Sequence, residues 1–183
     1  MLILASASPR RRELLSYIRP DFAVVATGVD ETIPSGLTPL EAVQTLALRK
    51  AQHVSASHPQ ATVIGADTIV VLDGVIYEKP QDEQDAARML GELSGREHTV
   101  CTGVAILSPQ GRRVFAEQTL VRFIELSKED IDAYVRTGQP MDKAGAYGIQ
   151  GGGALFVQGI TGDFYNVMGL PVCRLARELR SLM

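Results

Sequence analysis

The chain has no tryptophan, only two cysteines and no long uninterrupted apolar segment, and these shortages exclude several classes of protein. A helix that crosses a bilayer needs about 20 mostly apolar residues in succession. The first residues, MLILASASPRRRELL, place their arginines after a very short apolar stretch, which is the reverse of a secretory signal. We therefore expect a cytoplasmic protein that does not associate with membranes.

The two cysteines and the three histidines lack the spacing of a metal site. Cys101 and Cys173 lie in apolar surroundings without a C-x-x-C motif, which favours two buried thiols over a disulfide or a zinc site. We interpret the scattered His53, His58 and His98 as structural or surface residues. The sequence also lacks the P-loop motif and the G-x-S-x-G elbow, which argues against a P-loop enzyme and a serine hydrolase.

Strong positive charge is also missing from the chain as a whole. The formal net charge is −3, and nucleic-acid binding normally requires a basic face, so we expect no nucleic-acid partner. Positive charge is nevertheless concentrated locally in Arg10, Arg11 and Arg12. This cluster suits a small anion better than a polymer.

The length and the order of patterned segments predict one domain, residues 1–183. The predicted strands are residues 2–5, 22–26, a segment from Ala61 that is interrupted at Gly65, 69–72, 75–77, 98–107, 113–125, 155–157 and 164–167. The predicted helices start at Pro9, Thr38, Asp82, Ser127 and about Pro171, with capping boxes at Thr38 and Ser127. This alternation predicts an α/β fold with a mixed, twisted sheet and flanking helices.

Asp67 is the first candidate for chemistry, because the interruption at Gly65 would place it at the end of an apolar strand. Open α/β sheets tend to carry functional groups at that position. The alternative is an aspartate that caps a turn through its own backbone, and the residues alone slightly favour it.

An anion site is the second candidate. The segment LASASPRRRELL places two serines and a helix N-terminus beside three arginines, and free backbone N–H groups and guanidinium groups both bind phosphate. A capped helix with exposed arginines explains the same residues equally well.

A metal site and three lysines complete the candidates. Glu31 and Asp67 together could hold one hard cation such as Mg²⁺, although a loop acid is usually only solvated. Lys50, Lys79 and Lys143 could contact an anion, but most lysines are ordinary surface residues.

The segments LASASPRR, GADT, EKP and DKAGAYGIQG occur in this order, and through them nearly the whole chain resembles the Maf family. The resemblance implies an inosine-triphosphatase-like fold with two lobes around a cleft. It also implies hydrolysis of nucleoside triphosphates to the monophosphate and pyrophosphate with a divalent metal. Our hypothesis for the mechanism is that Mg²⁺ or Mn²⁺ bridges Glu31, Asp67 and the triphosphate while water attacks the α-phosphorus. The family's proton acceptor falls on Asp67. Its phosphate- and metal-handling positions fall on Ser8, Arg11, Glu31, Lys50, Lys79 and Lys143. Asp30 is an alternative to Glu31 as the loop ligand.

Three further positions, Arg10, Thr68 and Gln150, resemble the branch of the family that acts on dTTP and UTP. The branch that acts on 7-methyl-GTP has tryptophan and glutamate at the positions of Arg10 and Gln150. An amide can both donate to and accept from the imide edge of uracil or thymine, so Gln150 suits a pyrimidine.

Two other functions remain open at this point. Modified pyrimidine nucleotides could be the substrates in a house-cleaning role that uses the same chemistry. A regulator of septum formation would bind nucleotide without significant turnover. The sequence also leaves open whether the chain forms a homodimer.

Overall fold

The structure is a computed structural model that describes residues 1–182, and these residues contain seven strands in one sheet. The strands are β1 Leu2–Ala5, β2 Ala23–Val24, β3 Thr62–Leu72, β4 Val75–Tyr77, β5 Glu97–Ser108, β6 Gly111–Phe123 and β7 Val157–Thr161. The sheet order is β2-β1-β3-β5-β6-β7, and β4 also pairs with β3. β1 is parallel to β2 and β3, whereas β4 and β7 are antiparallel to their partners. The predicted mixed sheet is confirmed.

Six α-helices accompany the sheet within the described residues. They are α1 Pro9–Ser16, α2 Pro39–Ser55, α3 Glu83–Leu93, α4 Lys128–Val135, α5 Phe164–Met168 and α6 Val172–Arg180. Short 3-10 helices span Gln139–Asp142, Ala144–Ala146 and Gly151–Phe156. None of the helices in residues 1–182 is long and apolar enough to cross a membrane.

The chain divides into two compact units. The first unit contains Met1–Thr68, Thr102–Glu117 and the chain from Tyr165 onward; the second contains Ile69–Cys101 and Gln118–Phe164. Each unit is therefore assembled from separate chain segments. The assignment of residues 1–183 to a single domain stays a prediction.

Gly65 does not interrupt its strand, so the predicted break is wrong. β3 runs continuously from Thr62 to Leu72. A Cβ atom on Gly65 would lie 2.2 Å from the carbonyl oxygen of Ala47 in α2, and one on Gly103 of β5 would lie 2.3 Å from that of Val43. Glycine is needed here because the helix backbone lies directly against the strands. Asp67 consequently lies within β3 and not at its end.

The predicted helix starts are confirmed. They can be predicted from sequence because each depends on residues only a few positions apart. The Thr38 hydroxyl accepts from the backbone N–H of Glu41, and the Glu41 carboxylate accepts from that of Thr38. Ser127 and Asp130 form the same reciprocal pair at α4. Pro9 occupies the first turn of α1, as predicted.

Three other predictions are wrong. Residues 164–167 form helix α5 and not a strand, since a short apolar run cannot distinguish the two by periodicity. The last strand lies at Val157–Thr161, and not at 155–157. Cys173 is exposed, whereas Cys101 is buried as expected. In α6 the buried face carries Leu175 and Leu179, and a residue two positions from Leu175 points the other way.

Candidate functional site

Three charged side chains of the first unit meet at one point. The Nζ atom of Lys50 lies 2.6 Å from Oδ1 of Asp67 and 2.8 Å from Oε1 of Glu31. Lys50 is 6% exposed and Asp67 is 8% exposed, whereas the Glu31 side chain is 46% exposed. Charged groups are rarely this buried unless they are paired, so the cluster is a strong candidate site.

The close packing of α2 on β3 places Lys50 against Asp67. Residues 65 and 67 lie on the same face of β3, because strand side chains alternate between faces. Ala47 and Ala51 of α2 contact that face at Gly65, and Lys50 lies one position before Ala51. The glycine that brings the helix close therefore also brings the ammonium to the carboxylate.

The loop before α2 supplies Glu31. Arg49 of α2 donates from Nη1 to the backbone carbonyl oxygens of Asp30 and Thr32, at 2.9 and 3.0 Å, and so fastens this loop to the helix. Asp30 accepts from the backbone N–H of Thr32 at 2.9 Å, and hydrogen bonds from the side chain and the backbone of Thr32 lower the pKa of its carboxyl group. Asp30 thus caps its own loop, and Glu31 is the acid that contacts Lys50.

Arg11 is tied to the protein by three of its nitrogen atoms. Its Nε donates to the carbonyl of Gly169, Nη1 to the carbonyl of Ala66 and Nη2 to the hydroxyl of Thr68, at 2.9, 2.8 and 2.9 Å. Burial lowers the pKa of the guanidinium, while the charges of Asp67 and Glu31 oppose that effect. Arg11 therefore adds partly buried positive charge that interacts with the two carboxylates, and most of its donors orient it within the fold.

A chain of hydroxyl groups continues from Arg11. The Oγ1 atoms of Thr68 and Thr102 lie 2.9 Å apart, and Thr102 donates to the carbonyl of Asn166 at 2.9 Å. Because the single hydroxyl proton of Thr102 is used there, the Thr68 hydroxyl donates to Thr102 and accepts from Arg11. The predicted specificity residue Thr68 is thus held in one orientation.

The two serines of the loop before α1 stabilise the N-terminus of this helix. The Ser8 hydroxyl accepts from the backbone N–H of Arg11 at 3.4 Å as the helix N-cap, and the Ser8 N–H donates to Oγ of Ser6 at 3.2 Å. Arg10 is half-buried, and its charge also lowers the pKa of Arg11. A phosphate-binding role of Ser8 and Arg10 stays a prediction.

The other predicted residues, Lys79, Lys143 and Gln150, belong to the second unit. Lys79 and Gln150 are exposed. The Lys143 ammonium donates to the carbonyl of Gln139 and to Asp142, and a Cβ atom on Gly148 would lie 2.7 Å from its stem. Glycine at position 148 therefore leaves room for the Lys143 side chain.

A family model described as "Maf-like protein" matches residues 1–182. The chain belongs to the Maf family. The resemblance carried by LASASPRR, GADT, EKP and DKAGAYGIQG is thereby confirmed.

Curated relatives match almost the whole chain. A protein of Geobacillus sp. (strain WCH70) is 54% identical over 99% of this chain and 97% of its own length. One from Bacillus cytotoxicus is 52% identical over 97% of this chain and 93% of its own, and one from Symbiobacterium thermophilum is 53% identical over 97% and 92%. All three relatives are named dTTP/UTP pyrophosphatase. The solved structure of the Staphylococcus aureus Ham1 protein aligns with a TM-score of 0.48 at 17% identity over 67% of this chain and 71% of that chain, a likeness too weak to carry an argument.

The donor set of this Maf chain suits a hard divalent cation. Two carboxylate oxygens lie within 2.8 Å of the one point where Nζ of Lys50 lies. Mg²⁺ commonly binds one or two carboxylates and completes its octahedron with water and substrate phosphate oxygens. Residues 1–182 contain no group of three or more His, Cys, Asp and Glu side chains that could hold a metal, so a cation here would need such additional oxygens.

The sequence does not predict three residues that position the side chains of this site: Arg49, Thr102 and Gly169. Arg49 fastens the Glu31 loop, Thr102 fixes the Thr68 hydroxyl, and Gly169 provides a carbonyl for Arg11. A Cβ atom on Gly169 would lie 3.4 Å from Nε of Arg11, and its φ of +108° also favours glycine. Of these three residues, only Gly169 has a recognisable sequence signal, because it is a glycine that follows a short apolar segment.

Proposed function

We propose that this chain is a dTTP/UTP pyrophosphatase, which hydrolyses the triphosphate to the nucleoside monophosphate and pyrophosphate. The observation that carries the proposal is the name shared by relatives that are 52–54% identical over at least 97% of this chain. The pairing of the buried Lys50 and Asp67 with the exposed Glu31 supports it, because this cluster offers both anionic and cationic groups to a reacting phosphate.

We assign Asp67 to the attacking water. Its carboxylate lies within the fold on β3, where packing against α2 limits its orientations, and it would accept the proton as oxygen attacks the α-phosphorus. The bond from the α-phosphorus to the bridging oxygen breaks, and pyrophosphate leaves. A precisely oriented acceptor is effective because it restricts the water to the line of attack.

Cationic side chains would stabilise the charge on the phosphate oxygens. Lys50 carries an ammonium with three donors on a flexible stem, whereas the planar group of Arg11 is fixed by its protein partners. Ser8, Arg10, Lys79 and Lys143 are proposed to contribute further contacts to the triphosphate. We also propose that Gln150 and Thr68 select the pyrimidine, Gln150 through the donor and acceptor of its amide.

A divalent cation, Mg²⁺ or Mn²⁺, is proposed to bind at Glu31 and Asp67, where it would neutralise phosphate charge and make bound water more acidic. Support comes from the convergence of the two carboxylates on one point. We further propose a cytoplasmic location and no nucleic-acid partner, in keeping with the net charge of −3. The formation of a homodimer stays a prediction.

The test is direct. Purified protein is incubated with dTTP or UTP and Mg²⁺, and pyrophosphate and monophosphate are measured, with a parallel sample in EDTA. We expect equal amounts of the two products and none in EDTA. Tight nucleotide binding without product would contradict the proposal and support the nucleotide-binding regulator, and a panel of modified pyrimidine nucleotides would establish the preferred substrate.

Two variants check the assignment of Asp67. Asp67→Asn removes the proton acceptor at nearly constant volume and should lower kcat at least a hundredfold, a loss typical of an essential acid or base. Asp73→Asn makes the same change at an exposed turn, where the carboxylate pairs with Arg96, and should leave kcat unchanged. Near-normal turnover by Asp67→Asn would rule out the assigned role.

A further inference from the structure

The ammonium of Lys50 occupies the point on which both proposed metal ligands converge. Its Nζ atom lies 2.6 Å from Oδ1 of Asp67 and 2.8 Å from Oε1 of Glu31. Mg²⁺ binds oxygen at about 2.0–2.1 Å, so an ion and the ammonium cannot both lie between these two oxygens. Occupation by one cation therefore excludes the other.

Both carboxylates of the cluster already have cationic neighbours. Lys50 and Arg11 are positive, and Asp67 and Glu31 are negative, with Lys50 and Asp67 almost completely buried. A free divalent ion would add two positive charges, or it would displace the Lys50 ammonium from its partners. Both outcomes are unfavourable, because an uncompensated charge in a buried site is costly.

A triphosphate changes this balance. Its oxygens carry enough negative charge to compensate a divalent ion, and they offer new acceptors to the ammonium. The four-carbon stem of lysine is flexible, so the ammonium can exchange a carboxylate for a phosphate without movement of α2. Arg11 cannot move in the same way, since its nitrogen atoms donate to backbone carbonyls.

We propose that Lys50 is an internal competitor for the divalent cation. It pairs with Glu31 and Asp67 in the free protein and releases them when the nucleotide's phosphate groups bind its ammonium. The metal therefore binds together with the nucleotide, and the free protein has low affinity for the metal alone. This inference rests on the proposed function, and it gives Lys50 a role before the chemical step as well as during it.

Binding of Mn²⁺ alone to nucleotide-free protein tests the proposal, with unbound Mn²⁺ followed by electron paramagnetic resonance. Lys50→Met removes the ammonium and keeps an apolar stem, and we expect it to bind Mn²⁺ at least tenfold more tightly than the wild type. Lys128→Met is the matched control, because Lys128 forms an exposed pair with Asp132 at 2.5 Å; it should bind Mn²⁺ as the wild type does. The double variant Lys50→Met, Asp67→Asn should lose the gain, which locates the gain at this site.

Lys50→Gln provides a second test if the methionine variant does not fold, since its amide can still donate to a carboxylate. It should also bind Mn²⁺ more tightly than the wild type. Equal Mn²⁺ affinity of the wild type and a folded neutral variant would overturn the proposal, as would tight Mn²⁺ binding by the free wild type. Turnover of dTTP by the wild type is measured separately, so either result leaves the proposed function intact, whereas absent turnover would contradict that function alone.

Discussion

His98 shows how burial alone determines the charge of a residue. Its ring is 2% exposed and contacts Phe123 and Tyr147 edge-on, with Nε2 lying 2.8 Å from the Tyr147 hydroxyl oxygen. Burial lowers the pKa of His98 from 6.5 to about 4, because the charged form loses its hydration. The imidazole is consequently neutral in the folded protein at physiological pH.

We predict that this residue weakens the fold in mild acid. Between pH 6.5 and 4 the unfolded chain binds a proton that the folded chain does not, so the free energy of unfolding falls as pH is lowered through this window. The expected loss from this residue is about 2 kcal/mol between pH 7.5 and pH 5. Urea unfolding of the wild type and His98→Asn at both pH values should show that the variant lacks this part of the loss.

His53→Asn, at an exposed position on α2, is the control and should retain the pH dependence of the wild type. Nuclear magnetic resonance provides a direct check, since the ring signals of His98 should not titrate above pH 5. A midpoint near 6.5 would show that burial does not control this group.

The two thiols should differ sharply in reactivity. Burial raises the pKa of Cys101 to about 11, whereas Cys173 is exposed beside a groove of about 360 Å³ in the first unit. Thiolate is the reactive form, so a disulfide reagent at pH 8 should modify one cysteine per chain rapidly. Cys173→Ser should abolish the rapid phase and Cys101→Ser should preserve it. Rapid labelling of the Cys173→Ser variant would contradict the burial of Cys101.

At the scale of secondary structure, local signals were predictable and long-range contacts were not. The caps of α2 and α4 need only a side chain and a backbone N–H three residues away, and both were predicted correctly. Gly65 resembles a strand break in the sequence because the structural reason for a glycine there, the backbone of α2, is not visible in the neighbouring residues. The strand prediction for residues 164–167 is wrong for a related reason. Their helical conformation depends on tertiary contacts, which the periodicity of a short segment does not show.

The candidate site follows the same division. The residues alone are also consistent with a turn-capping Asp67 and a surface Lys50. The resemblance to the Maf family is what assigns both residues to a site. Their pairing requires α2 to lie against β3, which no local pattern records. The hydrogen-bond acceptors of Arg11 are the least predictable part of the site, because the carbonyl of Gly169 lies 158 positions away along the chain.

The contact between α2 and β3 leads to a stability prediction. Gly65→Ala would place a Cβ atom 2.2 Å from the carbonyl oxygen of Ala47 and 2.8 Å from the nitrogen of Ala51, both backbone atoms that cannot rotate away. We expect the free energy of unfolding to fall by about 1–3 kcal/mol or more, as for other overpacked cores. The displaced helix should also separate Lys50 from Asp67, so pyrophosphate release should fall with stability.

Gly91→Ala is the matched control for this change. Gly91 lies on α3, and a Cβ atom there would have no heavy atom within 4 Å. Alanine in an exposed helix interior is favoured over glycine by about 1 kcal/mol, so this variant should be slightly more stable in urea. Equal stability of the two variants would contradict the tight contact at Gly65.

Chain order and spatial order differ in the first unit. The first unit combines the beginning of the chain, the middle segment Thr102–Glu117 and the end from Tyr165 onward. Its site uses all three, since Arg11 and Asp67 come from the first segment, Thr102 from the second and the carbonyl of Gly169 from the third. The site is therefore complete only when three segments that lie far apart in the sequence have packed together.

We predict that the C-terminal helix is essential for folding of the first unit. Leu175 and Leu179 of α6 and Leu182 after it are buried. Burial of a leucine side chain contributes about 1.5–3 kcal/mol, and the total stability of a domain is about 5–15 kcal/mol. A chain ending at Pro171 should therefore lose cooperative unfolding and the activity together, as followed by circular dichroism and pyrophosphate release.

Point variants separate this packing effect from simple shortening of the chain. Leu175→Ala removes buried atoms from α6 and should lower the free energy of unfolding by about 2–5 kcal/mol. Arg177→Ala changes an exposed side chain of the same helix and should alter it by less than about 0.5 kcal/mol. If both variants were equally stable while the truncated chain unfolded, α6 would act through its backbone and not through its buried leucines. The expected difference instead makes the buried leucines of α6 part of the apolar core of the first unit, the unit that also carries Asp67 and Arg11.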